Sequence, residues 1–278
     1  MPDKDNENIK LLKAKITVNH EIAKSHFEME LESAYLGAVS SPGQFVNVKA
    51  LGDVTDPLLR IPLGVHKIRG RGISLLYKVV GRGTKILSGR KQGETLDVLG
   101  PLGNGFDAAA VPAEKGARAV IIAGGHGIAP LYALTESLEA KNVKIEFLIG
   151  VRSKDHIVCV EDLASMGAGV YIATEDGTCG YKGYVTDILK QRLRQNLTGE
   201  RRTTIYACGP RPMLAAVAEI AKRERIRAQV SLDAYMACGI GACLGCAVRT
   251  VDGYKLACKD GPVFDAAKVV WEAENAAK

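Results

Sequence analysis

The chain has 278 residues, which is more than one typical domain, so two or three structural units are expected. Hydrophobic residues make up 47% of the chain, and the net charge of +6 comes from dispersed basic residues, a pattern that argues against a nucleic-acid-binding stripe. The seven cysteines are an odd number, which does not suggest a secreted disulfide framework. The polar first residues lack the apolar region of a signal peptide, and the longest apolar stretch, 119–134, is too short to span a bilayer. These features predict a cytoplasmic protein that binds neither membrane nor nucleic acid.

The first part of the chain, from residue 9 to about 108, has the pattern of β structure. Apolar residues alternate in short runs between glycine, proline and serine, without a convincing helical period. The predicted strands are 12–18, 26–31, 44–48, 73–80 and 95–98. Several short strands at this spacing favour a small antiparallel barrel. Within it, 77–87 predicts a strand, a glycine turn and a helix start, which is either an anion site or only a turn and an N-cap.

From about residue 113 the pattern changes to strand, loop and helix. Strands are predicted at 119–123, 144–150, 170–174, 204–207 and 229–232, and helices at 131–140, 159–166, 185–194 and 213–225. This alternation predicts a parallel sheet that is covered on both faces and binds ligands beyond the carboxyl ends of its strands. Three segments fall at those ends: Gly124–Gly127, Thr174–Gly177 and Cys208–Pro210. Because they belong to one rim, a ligand is expected there.

Each of these segments also has a simpler interpretation. Gly124–Gly127 does not match the standard dinucleotide fingerprint and could be only a tight turn between strand and helix. His126 is interpreted as a loop residue, because no carboxylate partner is evident from the sequence. Cys208 could be a buried thiol that serves packing.

Four cysteines near the end of the chain carry the most specific signal. Cys238, Cys243 and Cys246 follow the spacing C-x4-C-x2-C, and Cys258 comes after eleven intervening residues. This is the plant-type ligand spacing of a [2Fe–2S] cluster, which binds four thiolates. The glycines between the cysteines allow a tight loop whose backbone N–H groups approach the sulfides. A structural zinc site is the alternative, but it favours two close cysteine pairs, and only one is present here.

A hairpin is predicted to bring the fourth cysteine to the other three. Asp252-Gly253 is a strong turn signal between two short β-like segments. A two-residue loop at this position pairs Ala247 with Cys258. Cys258 is therefore expected to lie beside Cys246.

These motifs together resemble one known family. In chain order they are Tyr77–Thr84, Leu99–Phe106, Gly124–Pro130, Thr174–Gly180, Cys208–Met213, Met236–Cys246 and Cys258–Phe264. The chain resembles the electron-transfer subunits of NAD-linked dihydroorotate dehydrogenases, a branch of the ferredoxin reductase superfamily. The resemblance covers nearly the whole chain, and the cysteine cluster that ends in Lys-Asp-Gly-Pro-Val-Phe is its most specific part.

The resemblance implies a ferredoxin-reductase-like fold with a flavin-binding β barrel over 1–112, an NAD-binding α/β domain over 113–232 and a small [2Fe–2S] domain over 233–278. It implies FAD on the barrel, with contacts that fall by position on Ile61, Pro62, Leu63, Gly64, Leu76, Tyr77, Lys78, Gly83 and Thr84. NAD is expected at the sheet rim, on Gly124, Gly125, Gly127, Thr174, Asp176, Gly209 and Pro210. Cys208 is the candidate residue at the reacting end. The cluster ligands are Cys238, Cys243, Cys246 and Cys258.

The implied partner is a catalytic subunit that carries FMN and oxidises dihydroorotate, in a heterotetramer that serves pyrimidine biosynthesis. A flavin exchanges a hydride with nicotinamide yet passes on single electrons, which an iron–sulfur cluster carries one at a time. The chain then needs no general acid or base of its own. The apolar side chains of Val263, Phe264 and Trp271 either dock this partner or pack the cluster domain onto its own chain.

One segment departs from the family pattern. The family usually has arginine, proline, an apolar residue and serine where this chain has Ile61-Pro-Leu-Gly64. The flavin phosphate then loses its usual guanidinium fork, and weaker FAD binding is expected. Arg60 comes one residue earlier and, in a strand, points to the opposite face.

Two other functions remain open from the sequence. The same modules also build NAD(P)H reductase subunits of other complexes, such as a hydrogenase or a ferredoxin-linked transhydrogenase. A protein of a different class would use a four-cysteine zinc site only to bind a partner. Iron and acid-labile sulfide analysis distinguishes an iron–sulfur protein from the zinc protein. Co-purification with a dihydroorotate-oxidising subunit distinguishes the dihydroorotate dehydrogenase subunit from the other reductases.

Overall fold

The computed structural model describes residues 8–50, 56–112, 116–195 and 203–271. Their strands and helices are, in chain order, β1 (Lys10–Ala23), β2 (His26–Glu32), α1 (Ala34–Val39), β3 (Phe45–Lys49), β4 (Ile61–Arg69), β5 (Gly72–Lys78), α2 (Arg82–Ser88), β6 (Thr95–Leu102), β7 (Arg118–Gly124), α3 (Ile128–Glu139), β8 (Lys144–Val151), α4 (Val160–Ser165), β9 (Gly169–Thr174), β10 (Tyr181–Lys182), α5 (Val185–Gln195), β11 (Thr203–Cys208), α6 (Arg211–Arg223), β12 (Arg227–Ser231), β13 (Ala247–Thr250), β14 (Gly253–Leu256) and β15 (Val263–Asp265). They form a barrel, a mainly parallel sheet with helices, and a small hairpin.

The first six strands close into an antiparallel barrel in the order β1-β2-β5-β4-β3-β6, which confirms the predicted barrel. The prediction lacks one strand, β4, because Pro62 and Gly64 interrupt its alternation and have the pattern of turn residues. Proline is accepted there because the registered pairs with β5 begin only at Val65. Pro62 therefore has β3 on one side, opposite Asn47, and no registered β5 partner on the other.

The second part is a seven-stranded sheet with the order β10-β9-β8-β7-β11-β12-β15. Five neighbouring strands of this sheet, β9, β8, β7, β11 and β12, run parallel, as predicted. The central strand β7 is buried along its whole length, which explains its continuous apolar run. Helix α3 begins at Ile128, earlier than the predicted Leu131, because Pro130 is tolerated in the first turn of a helix.

The cysteine-bearing segment forms the predicted hairpin, β13 with β14, but the predicted register is wrong by two residues. Ala247 lies opposite Leu256, not opposite Cys258. The turn is displaced because the hydroxyl of Thr250 donates to the carbonyl of Gly253 at 2.6 Å, and these two residues form the last pair of the ladder. The two-residue loop is therefore Val251 and Asp252, between Thr250 and Gly253.

Cys258 nevertheless lies beside Cys246, by a different route. The backbone N–H of Ala257 donates to the carbonyl of Cys246 at 3.0 Å, just beyond the end of the ladder. The N–H of Cys258 then points at the sulfur of Cys246, 3.4 Å away. The predicted proximity of Cys246 and Cys258 is correct, although the hairpin register from which it was predicted is wrong.

The last strand, β15, joins the end of the chain to the large sheet. It pairs antiparallel with β12 and buries Val263 and Phe264 to 9% exposure each. The indole N–H of Trp271 donates to the carbonyl of Ala266 at 2.8 Å. Of the two interpretations of these apolar side chains, the burial of Val263 and Phe264 favours packing onto the same chain.

The barrel and the sheet are joined by polar contacts between β4 and α3. The buried His66 ring donates from Nδ1 to the carbonyl of Ala129 at 3.0 Å, and Arg69 pairs with Glu136 at 2.7 Å. These bonds fix how the barrel faces the sheet and thus the cleft between them. None of the helices in the described ranges is long and apolar enough to cross a membrane.

Candidate functional site

The four predicted cluster ligands lie in the loop that joins β12 to β13 and in the turn after β14. Cys243 is exposed, Cys238 is partly exposed, and Cys246 and Cys258 are buried. They lie in two pairs: the N–H of Cys243 is 3.4 Å from the sulfur of Cys238, and the N–H of Cys258 is 3.4 Å from the sulfur of Cys246. Within the described ranges, no three His, Cys, Asp or Glu side chains converge closely enough to hold a single metal ion. Two pairs of thiols are the ligand set of a cluster of two irons, each of which takes two cysteines.

The loop backbone directs N–H groups at the cysteine sulfurs. The N–H of Gly241 lies 3.1 Å from the sulfur of Cys258, and those of Ile240 and Cys243 lie 3.5 and 3.4 Å from the sulfur of Cys238. Burial opposes ionisation of Cys238, but these N–H groups outweigh it and lower its pKa to about 6. Backbone donors to sulfur stabilise a ligated thiolate and help to set the potential of a cluster.

One residue of the barrel touches the cluster loop. The side chain of Asn47 on β3 is 1% exposed and donates from Nδ2 to the carbonyl of Cys238 at 3.5 Å. A Cβ atom on Gly239 would lie 2.2 Å from that Nδ2, and the φ of this residue is +75°, so only glycine fits. Because Asn47 is the strand partner of Pro62, the cluster loop lies close to the first residues of β4.

A cleft of about 700 Å³ lies between the barrel and the sheet, and we call it the barrel cleft. Most predicted site residues line it: Ile61, Pro62, Leu63, Gly64, Leu76, Tyr77, Lys78, Thr84, Gly124, Gly125, Gly127, Cys208, Gly209 and Pro210. Gly83 lies just behind, where a Cβ atom would be 2.6 Å from Ile61. The cleft thus brings together the predicted flavin contacts and part of the predicted NAD contacts.

A second cleft of about 770 Å³, the sheet cleft, follows the carboxyl ends of the sheet strands. It shares five lining residues with the barrel cleft: Lys78, Gly124, Gly125, His126 and Pro210. The two clefts therefore meet at the turn after β7. This junction is where a ligand in one cleft would contact a ligand in the other.

Two predicted NAD contacts lie outside the lining of both clefts. The hydroxyl of Thr174 donates to the carbonyl of Cys179 at 2.7 Å and accepts the N–H of the same residue. Asp176 accepts hydrogen bonds from the N–H and the hydroxyl of Thr178. Both side chains are therefore used to shape the loop after β9, and Glu175 between them lines the sheet cleft.

The loops after β7 and β11 approach so closely that glycine is required. A Cβ atom on Gly127 would lie 1.9 Å from the carbonyl oxygen of Cys208, and one on Gly124 would lie 2.7 Å from the sulfur of Met213. Because the two loops are in contact, Cys208 lies in the lining of the barrel cleft. Burial raises the pKa of Cys208 to about 12, so it remains an uncharged thiol.

Sequence reasoning missed several residues of the sheet cleft. They include His26, Arg152, His156, Glu175, Tyr184 and Met213. Arg152 and His156 follow strand β8, so the rule that ligands bind beyond strand ends could have found them. His26 belongs to the barrel, and no local pattern indicates that its strand reaches the sheet.

Two family models match the chain. Residues 233–270 match the iron–sulfur cluster binding domain of dihydroorotate dehydrogenase B. Residues 121–219 match the oxidoreductase NAD-binding domain. The first match contains all four cysteines of the paired set, and the second contains the turn where the two clefts meet.

Curated relatives cover almost the whole chain. The dihydroorotate dehydrogenase B (NAD(+)) electron transfer subunit of Geobacillus sp. (strain WCH70) is 41% identical over 90% of this chain and 94% of the relative. That of Desulforamulus reducens is 37% identical over 95% of this chain and 99% of the relative. The chain belongs to the family of dihydroorotate dehydrogenase B electron transfer subunits. The predicted family is thereby confirmed.

Solved structures show the same fold. The NADH-dependent reduced ferredoxin-NADP oxidoreductase, described for flavin-based electron bifurcation, is 30% identical with a TM-score of 0.80, over 93% of this chain and 90% of that chain. The ferredoxin reductase of carbazole 1,9a-dioxygenase is 20% identical with a TM-score of 0.66, over 78% of this chain and 67% of that chain. The predicted ferredoxin-reductase-like fold of this electron transfer subunit is confirmed.

The family and the fold also bear on the cofactors of this electron transfer subunit. The iron–sulfur domain, the NAD-binding domain and the reductase fold support the predicted set of a [2Fe–2S] cluster, NAD and FAD. The zinc alternative has no support from these matches.

Proposed function

We propose that this subunit carries electrons between a dihydroorotate-oxidising partner subunit and NAD, by way of a [2Fe–2S] cluster and FAD. The observation that carries the proposal is the continuity of the three sites. Asn47 contacts the backbone of Cys238 while its strand neighbour Pro62 lines the barrel cleft. The barrel cleft in turn meets the sheet cleft at Gly124–His126. An electron can thus pass between neighbouring sites without leaving the protein.

The barrel cleft fits a flavin. Its walls combine apolar side chains, such as Leu63 and Leu76, with a few polar groups, as expected for a cofactor site. Tyr77 and Lys78 lie side by side at the end of β5, and Thr84 lies at the first turn of α2. When FAD is bound it supplies the exchange between a hydride and single electrons. The residues of the chain orient it and keep water away.

The sheet cleft fits a dinucleotide. It lies beyond the carboxyl ends of parallel strands, where such ligands bind in open α/β sheets. Gly124 and Gly125 line it, and a ligand can approach their backbone closely because glycine has no side chain. The uncharged thiol of Cys208 lies at the neighbouring strand end, within the barrel cleft. The two bound cofactors would supply the hydride exchange themselves, so the residues here would only position them and no charged acid or base is needed.

The exposed apolar side chains beside the cluster are the proposed docking surface for the partner. Tyr235, Ile240 and Leu244 are 95%, 46% and 64% exposed, and all three lie in the loop that holds Cys238 and Cys243. Aromatic and apolar side chains in this setting are typical of interface residues. The partner proposed for this surface is the FMN-containing catalytic subunit, in a heterotetramer located in the cytoplasm.

A second candidate is a reductase subunit of a ferredoxin-linked complex. The observation in its favour is the TM-score of 0.80 to the NADH-dependent reduced ferredoxin-NADP oxidoreductase. The identity to that structure is 30%, against 41% to the Geobacillus electron transfer subunit, which favours the first proposal. Anaerobic co-purification decides between them. A dihydroorotate-oxidising subunit is expected in the complex, and a ferredoxin-linked partner in its place would overturn the proposal.

We expect Ile61→Arg to bind FAD about tenfold more tightly than the natural chain, because a charge-assisted contact contributes roughly 1.5–3 kcal/mol. Arg60 cannot supply this contact without breaking its pair with Asp97, at 2.6 Å. Arg82 is likewise paired, with Asp56. The Ile61 side chain points at Gly83 in the first turn of α2, so an arginine placed there reaches the region where a phosphate is favoured.

Isothermal titration of the apo-protein with FAD measures this difference. Ile61→Gln is the matched control, since it is polar and extended but carries no charge, and it should bind FAD like the natural chain. Equal affinity of the arginine and glutamine variants would contradict the assignment of position 61 to the phosphate.

A further inference from the structure

Three histidines from three different segments meet over the sheet cleft. His26 begins β2 of the barrel, His126 lies in the turn after β7, and His156 lies in the 3₁₀ turn after β8. The rings of His26 and His126 stack at 4.9 Å with an interplanar angle of 14°. The ring of His156 meets that of His26 edge-on at 6.0 Å. We call these three residues the histidine cluster.

In His26 and in His156, a hydrogen bond at Nδ1 orients the ring. Nδ1 of His26 donates to the carbonyl of Lys24 at 2.7 Å, and Nδ1 of His156 lies 3.0 Å from the hydroxyl oxygen of Ser153. These contacts leave Nε2 of each ring available to a ligand. The Nε2 atom of His126 is buried and has no hydrogen-bond partner among the described residues. A buried polar atom of this kind is expected to meet a ligand or water.

Among the described residues, the lining of the sheet cleft carries two cationic side chains and one carboxylate. Lys78 is the strand partner of His26 and lines both clefts, and Arg152 lines the sheet cleft. Glu175 is the one carboxylate in the described lining of the sheet cleft. Two further carboxylates lie near the cluster: Glu21 raises the pKa of His26 by its charge, and the charge of His156 lowers the pKa of Asp176. Within the described lining itself, the two cations therefore outnumber the single carboxylate.

The surroundings of His26 and His126 favour the uncharged form of both rings. Burial lowers the pKa of His126 to about 4, and the nearby His26 and Lys78 lower it further by repulsion. Burial also lowers the pKa of His26. An anion at the edges of these rings would offset the repulsion and favour protonation, and protonated imidazoles donate from both nitrogens. Anion binding and proton uptake are therefore coupled.

A metal ion does not suit this arrangement. The nitrogen lone pairs of an imidazole lie in the plane of its ring, and the planes of His26 and His126 are nearly parallel. Their lone pairs cannot converge on a point between the rings. An extended anion can instead accept from several donors along the edges of the rings.

We propose that His26, His126 and His156, together with Lys78, form a diphosphate-binding subsite that spans the barrel and the sheet. Its ligand is the diphosphate bridge of a nicotinamide dinucleotide, an identification that rests on the proposed function. Because His26 and Lys78 come from the barrel and the other two from the sheet, the bound diphosphate holds the two parts together. The backbone N–H groups of the glycine turn also donate to the diphosphate, and the subsite supplements them with charge-assisted donors.

The chain has only five histidines, so NMR can observe the subsite directly. The oxidised holoprotein with ¹³C-labelled histidine is titrated with inorganic pyrophosphate, and single His→Asn variants assign the five signals. We expect the signals of His26, His126 and His156 to move, and the pKa of His126 to rise by about one unit or more. His20, exposed on β1, and His66, enclosed by Ala129 and Cys159, are internal controls whose signals stay in place.

Binding measurements complete the test. Pyrophosphate should bind about tenfold more weakly to His126→Asn than to the natural chain and should bind less tightly as pH rises, while His20→Asn leaves the affinity unchanged. If pyrophosphate moves none of the three signals, or moves the His20 signal equally, the subsite does not exist.

Titration with NAD then separates this proposal from the proposed function. NAD should move the same three signals as pyrophosphate. If NAD binds without moving them, the diphosphate lies elsewhere and the inference is overturned, while the electron-transfer function stands. If pyrophosphate moves them and NAD does not bind at all, the anion subsite is supported and the proposed function fails.

Discussion

Replacing Cys258 by serine should remove the iron–sulfur cluster as completely as replacing Cys243. The sulfur of Cys258 is buried, pairs with that of Cys246 and receives the N–H of Gly241 at 3.1 Å. A serine hydroxyl is a poor ligand for iron and would leave one of the two irons with a single thiolate. Iron content, acid-labile sulfide and visible absorbance of Cys258→Ser and Cys243→Ser should therefore fall together to about a tenth or less of the natural value.

Cys179→Ser is the matched control for this experiment. Cys179 lies in the loop after β9, and its backbone is bonded to Thr174 rather than to the cluster segment. Its replacement should leave the iron content unchanged. A Cys258→Ser protein that retains all of its iron would contradict the ligand assignment.

Replacing Tyr235 by aspartate should weaken binding of the catalytic partner about thirtyfold or more, because central interface aromatics contribute about 2 kcal/mol or more. Tyr235 is 95% exposed, so its removal costs the isolated subunit almost no packing. A carboxylate on an apolar docking surface also carries a desolvation cost. Sedimentation of the two subunits at micromolar concentration measures the effect.

The control for Tyr235→Asp is Tyr181→Asp. Tyr181 is also an exposed tyrosine, but it lies on β10, at the edge of the large sheet opposite β15. Five strands lie between β10 and β15, so the two edges are six strand spacings, or roughly 29 Å, apart. Both variants should retain the cluster absorbance of the natural protein. Equal partner affinity of the two variants would show that the partner docks on another surface.

The cysteine site could be predicted from the sequence because its chemistry constrains spacing directly. A two-iron cluster needs thiolates at short fixed separations and glycines that let the loop close, and Cys238–Cys246 has both. The parallel sheet could be predicted for a similar reason. A strand buried on both faces, such as β7, needs a continuous apolar run that few other elements share.

The missed strand β4 shows where local patterns are insufficient. Pro62 and Gly64 have the pattern of a turn, yet the strand forms because one side of its first residues faces the cleft and needs no partner. The hairpin register failed for a related reason. The Thr250 hydroxyl fixes the turn through the carbonyl of Gly253, a side-chain contact that outweighs the Asp-Gly turn preference.

The histidine cluster could not be predicted at all. His26 and His156 are separated by 129 intervening residues and belong to different parts of the fold. They meet only because the β4–α3 contacts, among them the Arg69–Glu136 pair, set the barrel against the sheet. Such a juxtaposition depends on tertiary packing, which has no signature in any single segment.

The measurement that tests the central claim most directly is the electron balance of the reconstituted complex. Dihydroorotate and NAD are added anaerobically to the catalytic partner with this subunit, and orotate and NADH are counted. Each dihydroorotate oxidised gives up two electrons and two protons, so one NADH and one free proton should appear for every orotate. With Cys258→Ser, NADH formation should fall at least about a hundredfold, while the partner still oxidises dihydroorotate with an artificial acceptor. Full NADH formation by the variant without its cluster would contradict the account.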